Sequence, residues 1–580
     1  MRFRPSLLDA VQGYRRSDFS ADLGAGLTVA CVAMPLAMAF GIASGVKPEQ
    51  GLITAVVGGF IVSALGGSRV QIGGPAGAFV ALLYAVVERY GVANLLISTM
   101  MAGVLLMAMG FLKLGQMVRF VPVPIVIGFT NGIAIVIALS QLKDFLGLEI
   151  AQMPANFFSQ LYTLEQNLHT VNWTALGLGA AALLLLAVWP KAVPQPLHRK
   201  ELVQDGAPVT PLEPPQTAQP ASRGMWRDRL GTVLKVIPGP LVVLILGTLF
   251  VWALSLPVET IGSRFGGIPQ HLPPMRLPTF DWQTAQNLVA PTLSIAFLGA
   301  VESLLCARVA DGIIGERHDP NQELVAQGAA NLVSPLFGGI AVTGTIARTV
   351  TNIRSGARTP VAGMVHAIAL LVFMLALAPM ARHIPMSVLA AILLFVAWNM
   401  GEWHAFARLR HFSNNYRVVM LATFLLTVIF DLTVAVEVGL VLASLLFIMR
   451  VSSLTRIERV RLPADLLEGT GGRTVGVWRV FGSLFFGSVD KIEALLDPAE
   501  PLPDIMVLEM HQVINMDTTG LDALRGLHRH LERRNGRLIL AELNDQPMSL
   551  LKRSGFLQAL GPRNVFDRVE AAYAEIRSQA

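Results

Sequence analysis

Apolar runs of about twenty residues recur along this chain from near residue 20 to near residue 450, and they decide what it can fold into. Each is long enough to cross about 30 Å of hydrocarbon as a helix. Lipid offers no partner to a backbone N–H or C=O, so a chain of this kind folds as helices that satisfy their own polar groups. The overall balance agrees. Of 580 residues, 53% are hydrophobic and 14% charged, with a mean hydropathy of +0.56, which leaves too little polar surface for a soluble protein.

The runs resolve into fourteen predicted segments. Seven lie near 22–45, 50–66, 75–88, 93–114, 122–146, 172–189 and 236–255. Seven more follow near 286–307, 322–339, 344–354, 360–381, 385–400, 416–432 and 434–450. Two of them, 75–88 and 344–354, are too short to cross alone. Charge orients the series. MRFRPSLLDAVQGYRR is basic, lacks the pattern of a cleavable leader and predicts a cytoplasmic segment over 1–19. Connections after even-numbered segments carry Lys113, Arg119, Lys191, Arg199, Lys200, Arg308, Arg317, Arg408 and Arg410, whereas the stretch 147–172 has no Lys or Arg. Basic loops stay in the cytoplasm, so both termini are expected there and the chain in the inner (plasma) membrane. The net charge of +6 is then a topology signal, and no nucleic-acid partner is expected.

The predicted organisation is a membrane domain over 20–452, in repeats at about 20–255 and 286–450, and a second domain over 455–580. The Pro-rich stretch 191–234 predicts a disordered cytoplasmic loop. After Arg450 the pattern changes. TVGVWRVFGSLFFG and PDIMVLEMHQV predict buried strands, GLDALRGLHRHLERRNG a helix, RLILAEL a strand, and 547–560 and 564–578 amphipathic helices, together a small α/β domain.

The short segment near 75 opens with VQIGGPAGAFVALL. Two glycines and a proline disfavour a helix interior but suit a helix start, with Pro75 expected at the first helical position. A helix that begins at depth leaves its first amides without intrahelical partners, and these cost several kcal/mol each in hydrocarbon unless a cavity or a ligand meets them. An anion is the ligand that free N–H groups and the helix dipole favour. FGGIAVTGTIARTVTNIRSG stands at the same ordinal place in the second half. Paired broken segments of this kind point to a transporter site at a repeat interface. The plain alternative is close packing of small residues.

Charged residues at depth sharpen the site. Glu302 lies two-thirds along the eighth segment, and Arg348 lies one turn into the tenth. Arg348 either supplies a fixed positive charge to a substrate anion, neutralises Glu302, or snorkels to the headgroups. Phe40 and Phe79 are candidate pocket walls or plain core. Gln71, Thr343 and Thr345 are possible polar ligands, although membrane threonines often bond their own backbone. Cys31 and Cys306 lie far apart in apolar stretches, so neither a disulfide nor a thiolate metal site is expected. The eleven histidines show no metal-ligand spacing, and there is no P-loop, dinucleotide fingerprint or HExxH. No cofactor, metal or enzymatic activity is expected, which leaves secondary or channel-like transport.

GLTVACVAMPLAMAFGIASGV, GGSRVQIGGPAGAFV, QELVAQGAANLVSPLFGGI and TVTNIRSGARTPVAGMVHA resemble the signature blocks of the sulfate permease (SulP) family of anion transporters. VINMDTTGLDAL resembles the core of that family's carboxyl-terminal STAS domain. The resemblance spans nearly the whole chain. It implies two inverted seven-segment repeats in core and gate domains, elevator-like motion, and a homodimer. It places the anion between the starts of the third and tenth helices, at Ala76, Gly77, Thr345, Ile346 and Arg348, beside a first-segment break at Pro35 and the rings of Phe40 and Phe79. In sodium-coupled bicarbonate members an Asp and a Thr of the eighth segment help hold the ion. Glu302 and Cys306 stand there here, near Gly344. A thiol is a poor sodium ligand, and a protonatable carboxyl favours proton symport. In the STAS domain, Asp517, Thr518 and Thr519 stand at a strand-to-helix turn, where a regulatory hydroxyl or a simple helix cap is expected.

The leading expectation is a proton-coupled carrier of a small anion, sulfate before bicarbonate or a dicarboxylate. The alternatives are a sodium-coupled bicarbonate carrier, a nucleobase permease, and a membrane-anchored anion sensor signalling through its STAS domain.

Overall fold

The computed structural model describes residues 4–116, 122–150, 153–189, 238–278, 282–430, 432–461, 472–496 and 502–578. The loop expected over 191–234 lies outside the described residues. Two compact units divide the chain, Met1–Leu440 and Val441–Ala580.

Among the described residues ahead of 455, fourteen helices correspond to the expected series, with shorter helices between them. The first half comprises α1 (Arg16–Ala43), α2 (Pro48–Leu65), α3 (Val80–Tyr90), α4 (Val92–Phe111), α5 (Val123–Leu146), α6 (Trp173–Val188) and α7 (Gly239–Leu254). The second comprises α8 (Val289–Ile314), α9 (Pro320–Val333), α10 (Ile346–Arg354), α11 (Val361–Ala381), α12 (Met386–Met400), α13 (Asn414–Ile429) and α14 (Leu432–Leu454). Seven described helices are long and apolar enough to cross a membrane unaided, and the bent pair Phe157–Thr170 and Trp173–Val188 makes an eighth.

The packing obeys a two-fold rule. α1 packs on α11 as α8 packs on α4, α4 on α9 as α11 on α2, and α5 on α13 as α12 on α6. Each second pair follows from the first when every segment is exchanged for the one seven places away, which is the contact pattern of two repeats related by a pseudo-dyad. Segments α1 to α4 and α8 to α11 thereby form one body, and α5 to α7 with α12 and α13 pack among themselves. At the centre, β1 (Gly73–Gly74) pairs antiparallel with β2 (Thr343–Gly344), Gly73 opposite Gly344 and Gly74 opposite Thr343.

Two local expectations are corrected. α1 runs as one helix through Pro35, so there is no break. The ring forfeits a single bond to the Cys31 carbonyl, and the surrounding helices hold the rest in place. Pro75 is not the first helical residue. Ala76 is the N-cap, a 3-10 turn follows over Gly77–Phe79, and Pro75 sits in the extended lead. Within 147–172 the sequence reading missed a helix: the Asn156 side chain accepts from the amides of Phe158 and Ser159 at 3.1 and 3.3 Å and starts a helix over Phe157–Asn167. That helix buries only Gln160 and Leu164, too sparse a pattern for apolar periodicity to expose.

The second unit holds a five-stranded sheet of order β3 (Arg456–Arg459), β4 (Val475–Leu484), β5 (Ile505–Met516), β6 (Arg537–Ala541) and β7 (Val565–Phe566). β3 is antiparallel to β4, and the other pairings are parallel. One face packs against α15 (Thr518–Glu532), α16 (Asp545–Arg553) and α17 (Phe556–Leu560) through Leu521, Leu524, Leu527, Leu551 and Phe556. The other is covered by α18 (Val569–Ser578) through Ala572 and Ile576. The helix expected over 547–560 is broken at Gly555, whose φ of +72° suits glycine. The helix expected from 564 starts at Val569, after the edge strand β7. Both edge strands escaped the sequence reading because two to four residues carry no alternation signal.

Candidate functional site

Antiparallel strands send their chains away in opposite directions. The helices that follow β1 and β2, α3 and α10, therefore leave a common centre with their amino ends nearest each other. Neither start is capped by a side chain. Ala76 has no oxygen to offer, and the Thr345 hydroxyl donates to the Ile72 carbonyl at 3.0 Å, which also accepts the Thr345 amide at 2.9 Å. Each start presents its first amides and about half an elementary positive charge to the centre.

Glycine is required where the strands meet their neighbours. A Cβ at Gly344 would fall inside the Gln71 amide, and one at Gly74 would lie 2.5 Å from Arg348 Nη1. Behind β1, α2 makes a π turn over Thr54–Gly58, and Ala55 there flanks Gly74. Arg348 is 1% exposed and enters no ion pair among the described residues, and its Nη1 and Nη2 have no hydrogen-bond partner there. A buried guanidinium without an acceptor is expensive and is retained where an anion completes it. The reading in which Arg348 neutralises Glu302 is not realised, since no ion pair joins them. Snorkelling is excluded too, because the group is buried.

The other expected site residues fall in two groups. Gly77, at the start of the 3-10 turn, faces Phe40 of α1 and Met400 of α12: a Cβ there would meet Phe40 Cε1 at 3.3 Å and Met400 Sδ at 3.2 Å. Ala76 is buried beside it, while Ile346, the first residue of α10, is 37% exposed. Phe79 points elsewhere, toward Gly299 of α8, as core. The second group lies behind the strands. Glu302 is half-buried on α8 and enters no ion pair among the described residues. Cys306, one turn on, is fully buried and donates its thiol to Thr349 Oγ1 at 3.3 Å, which also accepts the Ile72 amide at 3.0 Å. Thr343 donates to the Gly299 carbonyl at 3.3 Å, tying β2 to α8. Among the described residues, no group of three or more His, Cys, Asp or Glu side chains is placed to hold a metal ion.

Sequence reasoning missed the network that holds this arrangement. Glu323 of α9 is completely buried. It accepts from the amides of Gly67 and Ser68 at 3.0 and 3.2 Å, from Gln327 Nε2 at 3.0 Å and from Ser303 Oγ at 3.4 Å. Gln71 joins it by donating to Ser303 Oγ at 3.0 Å. The network ties the β1 lead to α8 and α9. Met400 and His366 were missed as well, a lone Met and a lone His in apolar runs being indistinguishable from core.

In the second unit Asp517 is the N-cap of α15. Its Oδ1 accepts from the amides of Thr519 and Gly520 at 2.8 and 2.9 Å, and its Oδ2 from Phe486 at 3.2 Å. Thr518 and Thr519 are exposed.

A polytopic helical membrane protein with a repeat-related pair of broken segments and a carboxyl-terminal α/β domain is a transporter by class. The Sulfate permease family model matches residues 19–423 and the STAS domain model residues 468–572. The chain belongs to the sulfate permease family. It is 39% identical over 559 residues to YvdB of Bacillus subtilis (strain 168), whose name proposes sulfate as cargo, covering 96% of this chain and 97% of that one. It is 32% identical over 528 residues to the bicarbonate transporter BicA of Picosynechococcus sp. (strain ATCC 27264 / PCC 7002 / PR-6), covering 87% and 85%. The fold matches that of the murine Slc26a9 anion transporter in the inward-facing state, with a TM-score of 0.81 at 18% identity, covering 99% of this chain and 94% of that one. The family carries sulfate or bicarbonate anions and is not enzymatic.

Proposed function

We propose that this chain is a secondary active carrier of a small anion, sulfate foremost, working by proton symport in the inner (plasma) membrane with both termini cytoplasmic and as a homodimer. The observation that carries the reading is Arg348: a buried guanidinium without an acceptor, beside two uncapped helix starts. The anion would lie between Gly77 and Ile346, against Phe40, with Arg348 supplying the fixed charge. Glu302 is the coupling carboxyl. An elevator-like motion of the body that holds both helix starts against the α5–α7 and α12–α13 body would carry the site across, Met400 being the gate-side contact at Gly77. Thr518 or Thr519 would serve as a regulatory hydroxyl on the exposed first turn of α15.

A second reading, sodium-coupled bicarbonate transport, draws on the likeness to BicA. Against it, the Cys306 thiol is committed to Thr349 and offers no hard oxygen to sodium. Uptake of labelled sulfate, bicarbonate and a dicarboxylate into proteoliposomes, with proton and sodium gradients imposed separately, decides between the two. Sulfate accumulation driven by a proton gradient alone supports symport, and accumulation that needs sodium overturns it.

A further inference from the structure

Arg348 is not the only buried polar group without a partner at this centre. His366 of α11 is 0% exposed, and neither Nδ1 nor Nε2 has a hydrogen-bond partner among the described residues. One turn earlier on the same helix, Gly363 abuts Ser63 of α2, whose hydroxyl is also without a partner. An imidazole normally finds at least one partner when buried, because an unmet polar group costs about 1–3 kcal/mol. Three unmet groups from α2, α10 and α11 in one region therefore point to something that binds there.

The titratable and charged groups on the segments packed against α11 are few. α1 carries Arg16, Asp18, Asp22 and Cys31, and α2 carries Glu49. Asp22 is occupied by Tyr14, the amides of Arg358 and Thr359, and the Thr359 hydroxyl. Gly363 also lies against Ile72 Cδ1, in the lead into β1, and β1 meets Arg348 at Gly74, so the helix turn before His366 and the Arg348 guanidinium flank the same short strand. Among the described residues, no carboxylate is paired with His366 or Arg348.

We propose that His366 is the proton-accepting half of the anion site, so that a divalent anion held by Arg348 is accompanied by one proton on His366. Charge balance is the reason. With His366 neutral, Arg348 alone supplies one positive charge, which matches a monovalent anion and leaves a divalent one with an excess negative charge in a low-dielectric interior. Protonation of the imidazole by a proton from the aqueous side brings the cluster of Arg348, His366 and a doubly charged anion to neutrality. Conversely, the arriving anion cancels the repulsion that Arg348 exerts on a protonated His366, so each ligand strengthens binding of the other by the same factor. The inference rests on the anion-carrier reading and adds to it a rule: proton uptake follows the charge of the cargo.

The test uses the full-length protein in detergent with weak buffer and a pH dye, sulfate as the divalent probe and nitrate as the monovalent one. Wild type is expected to take up about one proton per sulfate bound and none per nitrate, and sulfate affinity is expected to rise about tenfold for each unit fall in pH across the linked window. His366→Gln keeps the size of the ring and is expected to bind sulfate without proton uptake and without the pH slope. Arg317→Ala, a change at the exposed surface, is expected to keep both. Sulfate binding without proton uptake in wild type overturns the proposal irrespective of how any variant folds, as does an unchanged pH slope in a folded His366→Gln protein. Failure of wild type to bind either anion overturns the carrier reading itself, a different result from binding without a proton.

Discussion

The guanidinium of Arg348 lies against the backbone of Gly74, with Nη1 2.5 Å from the point that any Cβ at residue 74 would occupy. The two belong to opposite repeats, so one methyl group on β1 is enough to move the fixed charge delivered by α10. Gly74 also has a φ of +156°, which an L side chain rarely adopts, so Gly74→Ala is expected to strain β1 as well as displace the guanidinium, and to weaken sulfate binding about tenfold in the protein that folds, the equivalent of about 1.4 kcal/mol. Calorimetric titration of the purified variant checks it. Wild-type affinity would show that Arg348 does not need its present position.

Glu302 has no ion pair among the described residues and sits one turn from Cys306. The proposed coupling role requires it for accumulation against a gradient and not for anion exchange. Glu302→Gln is therefore expected to abolish proton-driven uptake into proteoliposomes and to spare exchange of internal for external sulfate. Uptake at the wild-type level would remove Glu302 from the coupling scheme.

Glu323 should matter for stability. An amide in its place keeps the shape but loses the negative charge that draws the amides of Gly67 and Ser68 and the Gln327 side chain. Glu323→Gln is expected to destabilise the membrane domain by about 2 kcal/mol, a drop of a few degrees in thermal midpoint read on the full chain in detergent. An unchanged midpoint would show that the network is not under load.

Much of this was legible in the sequence for a physical reason. Long apolar runs and basic loops are demands of the bilayer, and they gave fourteen segments close to those found. The broken third and tenth segments were legible because glycine and proline interrupt a helix wherever they stand. What they lead into was not. A two-residue strand such as Gly73–Gly74 has no periodicity, and its partner lies 271 positions away, as the pairing of Gly73 with Gly344 shows. Pro35 illustrates the converse. In isolation proline argues for a break, yet packing against α2 and α11 keeps α1 helical. His366, Met400 and Glu323 were invisible because their importance lies in what surrounds them, and single residues in apolar or small-residue runs give no sign of their neighbours.

In the STAS domain, Asp517 holds the first turn of α15 by two amides and reaches back to Phe486 with its other oxygen. Asp517→Ala should cost about 1 kcal/mol locally. Hydrogen exchange on the full-length protein should then show the amides of Thr519 and Gly520 exchanging about fivefold faster. Exchange at the wild-type rate would mean that the turn is held by other contacts.

The central claim is that two helix starts and one buried guanidinium make a site for negative charge. Equilibrium binding of sulfate to purified Arg348→Ala, beside the surface control Arg317→Ala, tests it most directly. The account predicts affinity about a hundredfold weaker for Arg348→Ala, in keeping with the loss of hydrogen bonds to a charged partner, and wild-type affinity for Arg317→Ala. Equal sulfate affinity in the two variants would contradict it.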